Sequence, residues 1–249
     1  MSWYKTGSDG AAQQEEEEKK VEEEMNKPRR FWLAPGKTTQ IVFLDSAGFF
    51  FKEHSYKAGG QWGNFVTCIS DMGGEDCPFC DENMRYSYVC AFTVLDLTQF
   101  NTKKDNQLIT ASKKLFVTKG TATKKLLKKR ERQQGDLVGC KFEVTRYEQK
   151  EVSTGSDFEF IERLTPKDMA ALRMTSGPYS IPANEWLVPF DYMKAFEPKT
   201  PHEMRKLLGK AEPIGSDNEF NNPQPQNQQP TGADQGGDSS PTQDLSSMV

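Results

Sequence analysis

Residues 86–97 read Tyr86-Ser-Tyr-Val-Cys-Ala-Phe-Thr-Val-Leu-Asp-Leu97. The run is aromatic and β-branched and holds neither Gly nor Pro, so it predicts one long strand. Side chains alternate along a strand, which puts Tyr86, Tyr88 and Phe92 on one face. Outward from it, 38–44, 49–56, 108–118, 137–147 and 158–164 carry the same strand signal. The stretch 123–134 reads as a very basic helix. Thr165-Pro-Lys-Asp and Thr200-Pro-His-Glu each offer an N-cap followed by Pro at the first helical position, and the second run ends at Gly209. The pattern predicts an α+β chain, mainly β with helices, built as a small antiparallel barrel or sandwich.

Only 35% of the 249 residues are hydrophobic, and the shortfall sits at the two ends. Residues 1–27 hold little apolar material and carry the acidic run Glu15 to Glu24, a solvated charged segment with no face to bury. Residues 211–249 are Pro, Gly, Gln, Asn, Ser and Asp with isolated apolar residues, a composition that stays disordered. The middle, 28–210, is long enough to bury a core. The net charge of -4 conceals an asymmetry. Residues 31–210 hold 26 basic against 22 acidic residues, a balance of +4. The tail holds six acidic residues and no basic one. A basic core beside an acidic tail points to an anionic partner and to self-competition for it. No apolar run approaches the roughly 18 residues of a membrane span, and the N-terminus has no apolar signal core. The expected location is cytosolic and reducing, where five cysteines are metal ligands or free thiols rather than disulfides.

The sharpest local signal is Cys77-Pro-Phe-Cys80, half of a tetrahedral zinc site. Cys68 and His54 lie upstream, giving His-x13-Cys-x8-Cys-x2-Cys across a stretch with Gly pairs that let a short loop wrap an ion. Redox motifs share the Cys-x2-Cys spacing. Cys90 is a rival fourth ligand, although it lies inside the long strand, where a buried free thiol is the bland reading. Cys140 reads as a core cysteine. Four candidate ligands argue for one closed, structural Zn2+ rather than a catalytic one, which keeps an open position. No paired carboxylates, nucleophile–base pattern or phosphate loop suggests an enzyme.

Single strands of nucleic acid are held by basic grooves and by aromatic platforms. Residues 113–132 contain Lys113, Lys114, Lys119, Lys124, Lys125, Lys128, Lys129, Arg130 and Arg132 against the single acid Glu131. Aromatics interleave with charge at Phe49-Phe-Phe-Lys-Glu-His-Ser-Tyr-Lys57, Gln61-Trp62-Gly-Asn-Phe65 and Arg85-Tyr-Ser-Tyr88. About half of these rings must fill the core by strand geometry. Rings flanked by polar residues are the exposed ones, so Tyr56, Trp62, Tyr86 and Tyr88 are expected to stack on bases, with Lys57 and Arg85 beside them.

Phe31-Trp-Leu-Ala-Pro-Gly-Lys, Trp62-Gly-Asn-Phe-Val-Thr-Cys, Glu75-Asp-Cys-Pro-Phe-Cys and Tyr88-Val-Cys-Ala-Phe-Thr-Val-Leu-Asp together make the chain resemble the replicative single-stranded DNA-binding proteins of tailed phages. The resemblance covers about 28–210 and, by character only, the tail. It implies an OB-type antiparallel barrel with a small zinc subdomain at about 54–80, zinc held by His54, Cys68, Cys77 and Cys80, and an aromatic, basic cleft for single-stranded DNA. It also implies replication proteins as partners of the acidic tail, self-association along DNA, and the cytoplasm of a bacterial host. The expected role is holding strands open during replication, recombination and repair. Two features depart from the family: the N-terminal segment is acidic where a basic arm is common, and the tail is thinner in acid. The rival reading is a zinc-ribbon adaptor of transcription or replication that binds protein or duplex DNA through 113–132.

Overall fold

The computed structural model describes residues 7–73, 76–103, 106–176 and 179–209, leaving aside the side chains of residues 8, 9, 20–26, 61 and 62. The acidic N-terminal segment is a helix, α1 (Gly7–Asn26). Its Glu and Gln side chains bond along the helix, as in Lys19 to Glu15 and Gln14 to Glu18. The strands that follow are β1 (Lys37–Phe43), β2 (Phe49–Ala58) and β3 (Gln61–Thr67). A four-residue helix, α2 (Pro78–Asp81), precedes the long strand β4 (Tyr86–Asp96). The run 108–118 is divided: β6 (Leu108–Ile109) pairs with β5 (Phe100–Asn101), and β7 (Ser112–Lys119) joins the main sheet. The basic helix is α3 (Gly120–Arg132), followed by β8 (Cys140–Arg146) and β9 (Asp157–Arg163). Four short helices close the described chain: α4 (Pro166–Ala171), α5 (Ala183–Trp186), α6 (Tyr192–Ala195) and α7 (Pro201–Leu208). Thr165 and Thr200 both close capping boxes with Pro behind them, as their sequences predict. The tail, 210–249, lies outside the described residues. No described helix is long and apolar enough to cross a membrane.

β4 is the spine of the sheet. Along one side it pairs with β7 from Val89 to Asp96. Along the other it pairs with β2 through Tyr86–Ala91 and with β1 through Val94–Asp96. β1 and β2 are therefore one long strand broken at 44–48. β3 extends the sheet beyond β2, and β8 and β9 extend it beyond β1. β3 was not expected; its Gly63, at φ 106, hides the strand signal in a turn-rich stretch.

The closed barrel is not what forms. The sheet is antiparallel and curled, and no ladder joins β7 to β9 among the described residues. The reason lies in the segment before β1. The Phe31 backbone N–H donates to the Leu115 carbonyl at 2.7 Å, and the Leu115 N–H donates to the Arg29 carbonyl at 2.9 Å. This short parallel pairing occupies the β7 edge that β9 would need. Side chains bridge the seam instead, with the Phe116 ring 6.1 Å from Phe158.

The inner face holds the core. Phe43 meets Phe92, Phe116 and Phe142 edge to face at 5.4–5.7 Å. Cys90 and Cys140 are buried there. Burial pushes the Cys90 thiol up to about 12 and raises that of Cys140, so both are inert core thiols. The outer face is covered by the C-terminal helices. Trp186 is buried against Val42, Leu95 and Met169 and donates its indole N–H to the Met169 carbonyl at 2.9 Å. Phe196 packs over Ala91 and Leu115 and lies 4.3 Å from the Phe51 ring.

Candidate metal centre and aromatic cleft

Strand alternation builds the metal centre. His54 of β2 faces Val66 of β3, and Cys68 stands two residues beyond Val66 on the same face. The Cys68 N–H donates to the Lys52 carbonyl at 2.9 Å, which fixes the exit of the strand. Cys77 is the N-cap of α2, Pro78 starts that helix, and Cys80 follows within the same turn. The four ligand atoms lie within 4.8 Å of one another. Cys68 Sγ is 3.8 Å from Cys77 Sγ and 3.6 Å from Cys80 Sγ. His54 Nε2 is 3.4 Å from Cys77 Sγ and 3.6 Å from Cys80 Sγ. His54, Cys68 and Cys77 are buried and Cys80 is half-buried.

The electrostatics suit a cation. Burial lowers the His54 pKa and so keeps the imidazole neutral, the ligating form. At Cys77 burial works to raise the thiol, but backbone N–H groups of Cys80, Ile69 and Phe79 outweigh it and hold it below an ordinary thiol. Cys80 is pushed up to about 12, first by burial and then by the neighbouring sulfurs. Three sulfurs this close cannot all carry charge unless a cation sits among them. The cluster could therefore hold one metal ion. Phe79 stacks on His54 at 5.3 Å and braces the ring. Cys90 takes no part, since its side chain lies in the core against Phe92.

No family model, curated protein or solved structure matches this chain. The site is therefore read from its own geometry.

Beside the metal centre lies a cleft of about 2740 Å³. Arg30, Phe65, Tyr88, Lys119, Lys125 and Lys150 are among the residues that line it. Tyr88, which lines the cleft, and Tyr86, which stands outside its lining, are 61% and 47% exposed, as their polar neighbours predict. Phe50, 42% exposed, stacks on Tyr88 with ring centroids 5.8 Å apart. Lys52 sits 4.6 Å over the Tyr86 ring, and Asp71 accepts a hydrogen bond from its ammonium at 2.7 Å. Arg85, next to Tyr86, is exposed, and Lys57 is half-buried at the end of β2.

Other expected contacts are packed or engaged by the protein itself, although Tyr56 and Lys113 also border the cleft. Tyr56 is only 7% exposed and packs on Phe79 at 5.4 Å, so most of its ring is spent on the cysteine knuckle. Trp62 lies on β3, but its side chain is outside the described residues. Lys113 and Lys114 point to opposite faces of β7, and both are engaged by protein. Lys113 donates to the Glu185 carbonyl at 2.8 Å and lies 4.5 Å over the Phe190 ring, and burial lowers its pKa. Lys114 forms a 2.6 Å ion pair with buried Asp96. On α3, Lys124, Lys125 and Lys128 are exposed and Lys129 is half-buried; only Lys125 of these lines the cleft.

Sequence reasoning passed over Phe50 and Arg30. Within Phe49-Phe50-Phe51, alternation sends the middle ring to the face opposite its neighbours, and that was the available signal. Arg30 carried none. It lies 3.9 Å over the Phe65 ring and clasps buried Glu53 through two bonds of 3.1 and 2.6 Å, a contact that needs the fold.

Proposed function

We propose that this protein binds single-stranded DNA without sequence preference and that a zinc ion braces one wall of its binding cleft. Four features support the reading. First, the order β7–β4–β1–β8–β9, with α3 between β7 and β8, fits an OB-type sheet left open at one seam. OB folds bind oligonucleotides on the face of their second and third strands, between the first and fourth connecting loops. Here those strands correspond to β4 and β7. The two loops correspond to the β2–β4 connection, which carries the three cysteines of the cluster, and to residues 147–156. Second, residues of β4, β7 and both connections line the cleft, among them Ser87, Lys119, Asn64 and Lys150.

Third, the exposed Phe50–Tyr88 stack, with Tyr86 beside it, carries the proposal; Tyr88 is the ring that joins this stack to the cleft. Every unpaired base offers a π-face to such rings, worth about 1–3 kcal/mol per base, while paired bases in a duplex do not. Phosphates passing Arg85 and Lys125 release counterions, so affinity falls with salt. Holding unpaired strands in this way serves replication, recombination and repair without catalysis.

Fourth, the ligand geometry suits zinc. A tetrahedron with metal–sulfur bonds of about 2.3 Å and a metal–nitrogen bond of about 2.0–2.1 Å has edges of about 3.8 Å between sulfurs and 3.5 Å between sulfur and nitrogen. Four edges of the cluster are 3.6 and 3.8 Å between sulfurs, and 3.4 and 3.6 Å between sulfur and nitrogen. Three thiolates and an imidazole are a donor set for zinc, and four protein ligands leave no open position for catalysis.

Fluorescence anisotropy with labelled oligo(dT) and a matched duplex, over a range of salt, tests the reading. The expected result is at least about tenfold tighter binding of the single strand, weakening steeply as salt rises. Equal affinity for duplex would favour an adaptor acting through α3, and no binding of oligo(dT) in dilute buffer would end the proposal.

A further inference from the structure

We infer that the metal centre is the clamp that seats α7, so that the bound ion sets where the acidic sequence after Leu208 leaves the molecule. The inference rests on the proposal that His54, Cys68, Cys77 and Cys80 hold an ion, and it concerns different residues. α7 has eight residues. A helix this short is not stable in water by its own hydrogen bonds and needs a packed face. Its cap bonds are local, between Thr200 and Glu203. Its packed face is Met204, fully buried, with Leu207 and Leu208 partly buried beside it.

What those side chains pack against is the knuckle itself. Met204 shares one apolar cluster with Cys68, Ile69, Cys77 and Phe79. Phe79 lies between two of the ligands in sequence, and Ile69 follows a third. The knuckle holds a four-residue helix and turns, too little structure to keep its shape without the ion. The dependence runs one way: the ion shapes the knuckle, the knuckle presents Phe79 and Ile69, and those side chains hold Met204. The main sheet does not need this chain of contacts, since its own core around Phe43, Phe92 and Phe116 is a separate cluster. From residue 211 onward the sequence has six acidic residues and no basic one. The seat of α7 therefore decides from which side of the protein that negative charge starts.

Amide hydrogen exchange on the full-length chain, metal-loaded and after chelation with EDTA, tests the clamp. The Met204 and Gly209 amides, bonded to the Thr200 and Arg205 carbonyls, should lose protection by about tenfold or more, while Phe92 and Phe116 on β4 and β7 keep theirs. Met204→Ala should loosen α7 while the protein still binds one cobalt ion, read from its thiolate absorption. A chain that binds one ion but keeps α7 protected after chelation overturns the clamp alone. Equal loss at Phe92 and Phe116 also overturns it, because α7 is then no separate unit. A chain that takes up no divalent ion removes the metal centre and the clamp together.

Discussion

Tyr56 and Tyr86 point to the same face of neighbouring strands, yet one is buried and the other open. The difference is what stands above them. Phe79 of the cysteine knuckle covers Tyr56, whereas Tyr86 has the Lys52 ammonium over its face and the His54 ring at 6.2 Å edge to face, and stays open to solvent. Flanking polar residues mark a ring as near the surface; they do not tell which ring another loop will cover. The two fates separate by experiment. Tyr88→Ala should leave the thermal midpoint unchanged and weaken oligo(dT) binding by about 1–3 kcal/mol, read by anisotropy. Tyr56→Ala should instead cost about 3 kcal/mol of stability in urea denaturation, because it empties space beside Phe79. Lys113 and Lys114 teach the same lesson for charge: a lysine in a basic run counts toward a phosphate track only if no carboxylate or carbonyl has already engaged it.

The element that shapes the molecule is the break between β1 and β2. There the ladder to β4 is carried on by a side chain: the Thr93 N–H donates to Asp45 Oδ2 at 2.8 Å, and the Tyr192 hydroxyl donates to the same oxygen. Burial raises the Asp45 pKa, and those two residues' hydrogen bonds pull against it. A carboxyl that holds its proton more tightly when folded lends most stability below its ordinary value and loses that contribution as pH rises through the folded one. Tyr192→Phe removes a donor that favours the charged form. The Asp45 carboxyl, followed by carbon-13 NMR, should then titrate at higher pH than in the parent protein; an unchanged midpoint would show that this bond carries no weight. Gly48 closes the break against the core. A Cβ there would meet Cys90 Sγ at 2.2 Å and the Phe92 ring at 2.8 Å. Gly48→Ala should therefore destabilise the fold by about 1–3 kcal/mol in urea, through displacement of the strand over Cys90.

At the scale of the whole molecule, the sheet is a two-faced plate. C-terminal helices cover its outer face, the core fills its inner face, and one end of β4 runs out past both as the exposed Tyr86 and Tyr88. Charge is arranged to match, since the chain without residues 211–249 carries +2 where the full chain carries -4. Deleting 211–249 should raise affinity for oligo(dT) severalfold at low salt, with the gain fading as salt screens the charge. Unchanged binding across the salt series would show that the tail does not compete for the cleft.

The sequence by itself determined most of the strands, both capped helices, the His54, Cys68, Cys77 and Cys80 set that could hold an ion, and the exposure of Tyr86 and Tyr88. Each of these is set by local rules: alternation along a strand, a Thr-Pro start, two cysteines separated by two residues. Only the tertiary structure decided that the barrel stays open, that β3 is a strand, that Tyr56 is covered and Phe50 is not, and that Arg30 clasps Glu53. These depend on which distant segment reaches a surface first. The pairing of Arg29–Phe31 on the β7 edge, a meeting of residues more than eighty apart in the chain, leaves no periodicity in the sequence to be read.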